Sequence, residues 1–99
     1  MDNKIEFALG AIKASVGTDL GEYGIDLFVS HHLGEISTST WLEVLGKKVP
    51  SSDDIISALV LTHAEDDVYD FTLPRELTNY VVSVTFDEKG QVVDISMES

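Results

Sequence analysis

From Tyr80 to Met97 the chain alternates apolar and polar residues on either side of Asp87-Glu88-Lys89-Gly90. Before the turn, Tyr80, Val82, Val84 and Phe86 share one side and Val81, Ser83 and Thr85 the other; after it, Val93, Ile95 and Met97 share a side. A period of two is that of a strand with one buried face, and Gly90 supplies the positive φ that closes such a turn. This hairpin constrains the fold more than any other feature, because it commits the C-terminal part of the chain to antiparallel sheet with one apolar face to be covered.

The preceding segment, Val68 to Leu73, also alternates, with Tyr69, Phe71 and Leu73 on one face, and Pro74 stops it. Further upstream the period lengthens. Ile5, Ala8, Leu9, Ile12 and Val16 recur at helical spacing, which predicts a helix over about 3 to 16, with Asp2 or Asn3 as its cap and Gly17 as its end. From Tyr23 to Gly34 a period of two returns: Tyr23, Ile25, Leu27, Val29 and Leu33 on one side, Asp26, Ser30 and His32 on the other, with Phe28 an apolar exception on the polar side. That predicts a strand. Thr40-Trp41-Leu42-Glu43 has the spacing of a capping box, with Gly46 beyond, and predicts a short helix. Val49-Pro50-Ser51-Ser52-Asp53-Asp54 opens another, with a hydroxyl cap and two acids in its first turn; Ile55, Ile56, Leu59, Val60 and His63 form its inner stripe.

The order helix, strand, helix, helix, strand, strand, strand is that of an α+β domain, with about four largely antiparallel strands and about three helices on one face. Its 99 residues, 43% of them hydrophobic, suffice for one core and one domain, residues 1–99, with no linker in the composition. With no cysteine, disulfides, thiolate metal sites and cysteine nucleophiles are excluded; the expectation is a cytoplasmic protein. The start carries no apolar signal region, and the longest apolar run, Ala58-Leu59-Val60-Leu61, is too short to span a bilayer.

Charge narrows the partners. Eighteen acids against six bases give a formal charge of −12, which repels phosphate backbones and anionic headgroups, so neither nucleic acid nor membrane is an expected partner. The charge is uneven: residues 1–50 hold 7 acids and 4 bases (−3), residues 51–99 hold 11 acids and 2 bases (−9). Asp53, Asp54, Glu65, Asp66, Asp67, Asp70 and Glu76 face only Arg75 as counter-charge across their stretch. If the third helix and the strand after it bring these acids around Trp41 and Tyr69, the result is an acidic rim with aromatic anchors. Such a surface suits a basic protein partner, with charge steering the encounter and aromatics holding the complex. The candidate partner-binding residues are Trp41, Asp53, Asp54, Glu65, Asp66, Asp67, Tyr69 and Asp70. Trp41 also fits a plain core anchor, and the acids a merely solubilising surface.

Catalytic patterns are missing. His31 and His32 are adjacent, and on a strand their side chains diverge, with His31 in line with the core face. His63, Glu65, Asp66 and Asp67 lack both the rhythm of a calcium loop and a His-Glu-x-x-His zinc motif. No serine sits in Gly-x-Ser-x-Gly and no phosphate-binding glycine loop occurs. The expectation is a protein that is not an enzyme, with no cofactor, no metal site and no catalytic residue.

Residues 71–87, Phe71-Thr72-Leu73-Pro74-Arg75-Glu76-Leu77-Thr78-Asn79-Tyr80-Val81-Val82-Ser83-Val84-Thr85-Phe86-Asp87, continuing through Gly90 to Asp94-Ile95-Ser96-Met97-Glu98-Ser99, resemble a family of small acidic bacterial proteins described as a domain of unknown function. The resemblance covers about a third of the chain and is looser at Trp41-Leu42 and Asp53-Asp54-Ile55. It implies a compact α+β fold without assigned catalysis. In size, acidity and lack of motifs the chain is also similar to immunity proteins that neutralise basic bacterial toxin domains. The expected function is therefore a non-catalytic protein-binding module, of the immunity type, for a basic toxin. The alternative is a homodimeric structural or regulatory module joined through a sheet face around Phe28, Val81 and Val92; a metal-dependent hydrolase is a distant third. Both monomer and homodimer remain open.

Overall fold

A computed structural model describes residues 3–99; the expected capping side chains of Asp2 and Asn3 lie outside what it describes. Four α-helices, α1 (Asn3–Ser15), α2 (Ile25–Glu35), α3 (Thr38–Leu45) and α4 (Ser52–Ala58), precede four strands, β1 (Val60–Glu65), β2 (Val68–Thr72), β3 (Val81–Phe86) and β4 (Val92–Glu98). The strands pair antiparallel in the order β1-β2-β3-β4. The fold is α+β, as the pattern predicts, with one helix more than expected and the strands gathered at the end.

The core follows from which side chains each element points inward. Tyr69, Phe71, Val82, Val84, Phe86 and Ile95 line one sheet face and are buried against Ala8 and Ile12 of α1, Ile25, Phe28 and Val29 of α2, Trp41 of α3, and Ile55 and Ile56 of α4. All four helices therefore cover the same face, and among the described residues the other has no helix on it.

Local chemistry explains the boundaries. Gly17 sits at φ +77°, ending α1, and its N–H donates to the Asp26 carboxylate at 2.9 Å, tying that end to the first turn of α2. Ser51 caps α4 as expected: its hydroxyl accepts the Asp54 N–H at 3.1 Å while the Asp54 carboxylate accepts the Ser51 N–H at 2.9 Å. The cap of α3 is Ser37 rather than Thr40, because the helix begins at Thr38, and Gly46 closes it at φ +78°. Gly90 closes the β3–β4 turn at φ +78°, and the Asp87 carboxylate accepts the N–H groups of Lys89 and Gln91.

Three expectations are corrected. Residues 25–35 form a helix, not a strand. Its buried positions, Ile25, Phe28, Val29 and His32, have helical spacing, while Tyr23, Leu27 and Leu33, which complete the apparent alternation, are exposed. The expected orientation of the histidines reverses with it: His32 is buried and His31 half-buried. The stripe of α4 stops at Leu59, whose extended ψ of 138° ends the helix; Val60 and His63 belong to β1 and are exposed. In β4, Val93 is exposed rather than buried. Thr85 pairs with Asp94 and Phe86 with Val92, so Val93 is the extra residue of a bulge and Val92 packs on the core in its place.

Candidate functional site

Strand register fixes what the helix-free face carries, because residues directly opposite one another point to the same side. One row runs His63, Asp70, Ser83, Ser96; the next runs Glu65, Val68, Thr85, Asp94. Val60 and Thr72 pair at the far end, where Val81 lies opposite Glu98. The strand positions of this face thus hold four acids, Glu65, Asp70, Asp94 and Glu98, and no lysine or arginine. Hydroxyls, valines and His63 fill the remaining places, leaving a negatively charged surface.

The acidity concentrates at one end. Asp66 and Asp67 form a two-residue β1–β2 turn, with Asp66 at φ +50°, a conformation that aspartate tolerates better than most residues. His63, Glu65, Asp66, Asp67, Val68 and Asp70 line a shallow depression of about 460 Å³ there, and the His63 Nε2 lies 3.3 Å from Glu65 Oε2. The adjoining β3–β4 turn adds Asp87 and Glu88 against Lys89. Oδ1 of Asp70 is buried with no hydrogen-bond donor among the described residues.

The expected rim therefore survives only in part. Glu65, Asp66, Asp67 and Asp70 come together. Trp41 and Tyr69 do not join them: at 1% and 7% exposure both belong to the core, so neither offers an aromatic anchor. The Trp41 indole N–H is itself buried without an acceptor among the described residues. Asp53 and Asp54 stand on the first turn of α4, outside the depression. Asp54 is occupied there: hydrogen bonds from Ser51 and then the Lys47 ammonium, at 3.1 Å, hold its carboxyl below the usual aspartate range. Asp94 and Glu98 were missed as site residues, although inward-facing Ile95 and Met97 already imply their outward direction.

The homodimer patch expected around Phe28, Val81 and Val92 is not a surface. Phe28 is fully buried under the helices, Val92 packs against the core, and Val81 lies on the opposite face.

The buried polar centre is His32. With Phe28 O 2.7 Å from Nδ1, that nitrogen must carry the proton; Nε2 then accepts from the Thr78 hydroxyl at 2.8 Å, and Thr78 accepts the Tyr80 N–H at 3.1 Å. Phe28, His31 and Tyr80 pack their rings around it. Every polar atom of the imidazole is satisfied in the neutral form, so the cluster reads as packing rather than as a base awaiting a substrate. Burial pushes the His32 pKa below the ordinary histidine value, reinforced by His31 and opposed by the Phe28 carbonyl and Glu35. The unfolded chain then binds the proton more readily than the fold. The stability contribution is complete above the unfolded value of about 6.5 and is lost as pH falls through the lower folded value. Denaturant midpoints measured from pH 7.5 to about 5.5 should fall for the wild type and fall less for His32→Phe, whatever that variant's absolute stability. Equal slopes would remove His32 as the cause.

Among the described residues no three His, Asp or Glu side chains converge as a metal site, and no helix is long and apolar enough to cross a membrane. No family model, curated protein or solved structure matches the chain.

Proposed function

We propose that the chain is a non-catalytic protein-binding module whose helix-free acidic face receives a basic protein partner in the cytoplasm, in the manner of immunity-type inhibitors that cover a basic toxin domain. The observation that carries this reading is the one-sidedness of the sheet: Glu65, Asp70, Asp94 and Glu98 on a single face without helices, Asp66 and Asp67 at its end, and no lysine or arginine among its strand positions. Like charges held on one face add their fields, raising the encounter rate of a cationic partner and disfavouring anionic ones. The Asp70 oxygen without a donor gives such a partner's guanidinium or ammonium group one acceptor to fill once the side chain rotates outward.

Co-expression with the product of an adjacent reading frame tests the reading. A basic, toxic product should be neutralised by the wild type and not by Asp70→Lys/Asp94→Lys/Glu98→Lys. Unchanged toxicity with the wild type, or equal protection by both, would count against this face.

A further inference from the structure

The two edges of the sheet differ. Beyond β4, the Tyr23 carbonyl accepts the Met97 N–H at 2.9 Å, so the segment before α2 closes part of that edge. Beyond β1 no such cover exists among the described residues, and all six residues of the strand are exposed, Val60 and Leu61 included. An open edge presents unpaired N–H and C=O groups to any strand that can align with it.

β1 is complementary to itself. Thr62 is the extra residue of a bulge, since Leu61 pairs with Phe71 but His63 with Asp70. On a regular strand, residues three apart face opposite sides; the bulge puts Leu61 and Ala64 on the helix-covered face and Val60 and Glu65 both on the outer face. A second copy laid antiparallel about a two-fold axis between Thr62 and His63 sets Leu61 opposite the second copy's Ala64 and Val60 opposite the second copy's Glu65, with faces matched at both pairs. Without the bulge this register would set inward residues against outward ones.

Charge is complementary in the same register. Arg75, the chain's one arginine, lies at the Val60 end, where it lines a depression of about 640 Å³ together with Val60, Leu61 and Thr62. It is exposed and has no carboxylate at ion-pair distance among the described residues. Arg75 and Glu76 both adopt left-handed backbone, at φ +60° and +54°, a conformation costing non-glycine residues roughly 1 kcal/mol or more each. The acids of the β1–β2 turn lie at the other end of the strand. Antiparallel pairing brings each acidic turn to the other copy's Arg75.

We propose that the protein self-associates through β1 into a two-fold dimer with one continuous sheet, Arg75 of each copy paired with the acidic β1–β2 turn of the other. The contact is isologous, so it closes at two copies, and it leaves the outer faces of both, with exposed Asp94 and Glu98 and half-buried Asp70, on the same side of the joined sheet. It shares Glu65, Asp66 and Asp67 with the basic-partner reading but does not rest on it, since the argument here is the register and charge of the β1 edge. A six-residue edge is a small interface, and a dissociation constant of about 10–500 µM is expected.

Sedimentation equilibrium on the full chain up to about 1 mM tests it. The wild type should convert from monomer to dimer, and Leu61→Lys or Ala64→Lys, both at exposed positions, should weaken the dimer at least about tenfold with circular dichroism unchanged. A charge swap identifies the register. Arg75→Glu alone and Glu65→Lys/Asp67→Lys alone should each be monomeric, because each sets like charges together, whereas their mixture should form a one-to-one heterodimer. A wild type still monomeric at the highest concentration overturns the proposal; so does a dimer indifferent to the β1 substitutions, or a mixture that does not associate.

Discussion

Phe28→Ala is expected to cost about 3–5 kcal/mol, measured as the shift in denaturant midpoint, because it removes a large, fully buried ring from the junction of helices and sheet. The ring stands 4.1 Å from the imidazole of His32, itself held by Phe28 O and Thr78, so the cavity would open beside a polar group whose partners depend on its position. A domain of this size has only about 5–15 kcal/mol in all, so the variant should be marginal or unfolded near body temperature. Tyr23→Ala should change stability by less than about 0.5 kcal/mol, since that side chain is 70% exposed. The pair separates the two descriptions of this segment: alternation would make Tyr23 the buried residue and Phe28 the outward one.

Gly24→Ala should be a damaging small substitution, as should Gly21→Ala, whose added methyl would meet the Ser15 carbonyl. A methyl group at Gly24 would stand 2.6 Å from the Ile95 carbonyl oxygen and 2.7 Å from its Cγ2. Neither can yield, since Ile95 is buried and paired with Val84 inside the sheet. Overpacking of this kind typically costs about 1–3 kcal/mol, and contact with backbone places the expectation at the upper end. Gly10→Ala is the control of opposite sign. It lies within α1 with nothing within 4 Å of the added methyl, and should stabilise by up to about 1 kcal/mol through helix propensity. Thermal unfolding of the Gly24 and Gly10 variants checks the expectation; similar values would mean that α2 does not approach β4 as described.

The elements that could be read from the sequence were those whose burial has one period and whose ends carry specific chemistry. The β3–β4 hairpin has both, as does the Ser51 cap with Asp54. Residues 25–35 were misread because two periods overlap there: exposed Tyr23, Leu27 and Leu33 supply a false alternation, while the true helical set includes His32, which counts as polar until Thr78 and the Phe28 carbonyl are seen to satisfy it. β1 was hidden for the opposite reason. An edge strand exposed along its whole length has no burial period, and Leu59 ends α4 without the glycine or proline that usually marks such a point. The candidate site followed the same pattern. Adjacent Glu65, Asp66 and Asp67 were legible as one cluster, whereas Tyr69 points to the core face from the strand that follows, and Trp41, Asp53 and Asp54 were grouped with the cluster on an expected juxtaposition of helix and strand that the fold does not make.

The central claim is that the helix-free sheet face steers a basic partner. Its most direct test is the association rate constant of the neutralised toxic protein with the wild type and with Asp70→Lys/Asp94→Lys/Glu98→Lys, at low and high ionic strength. At low salt the variant should associate at least about tenfold more slowly with dissociation little changed, and the difference should shrink as salt screens the face. Equal association rates at low salt would contradict the claim and leave the acidity of this face with a solubilising role alone.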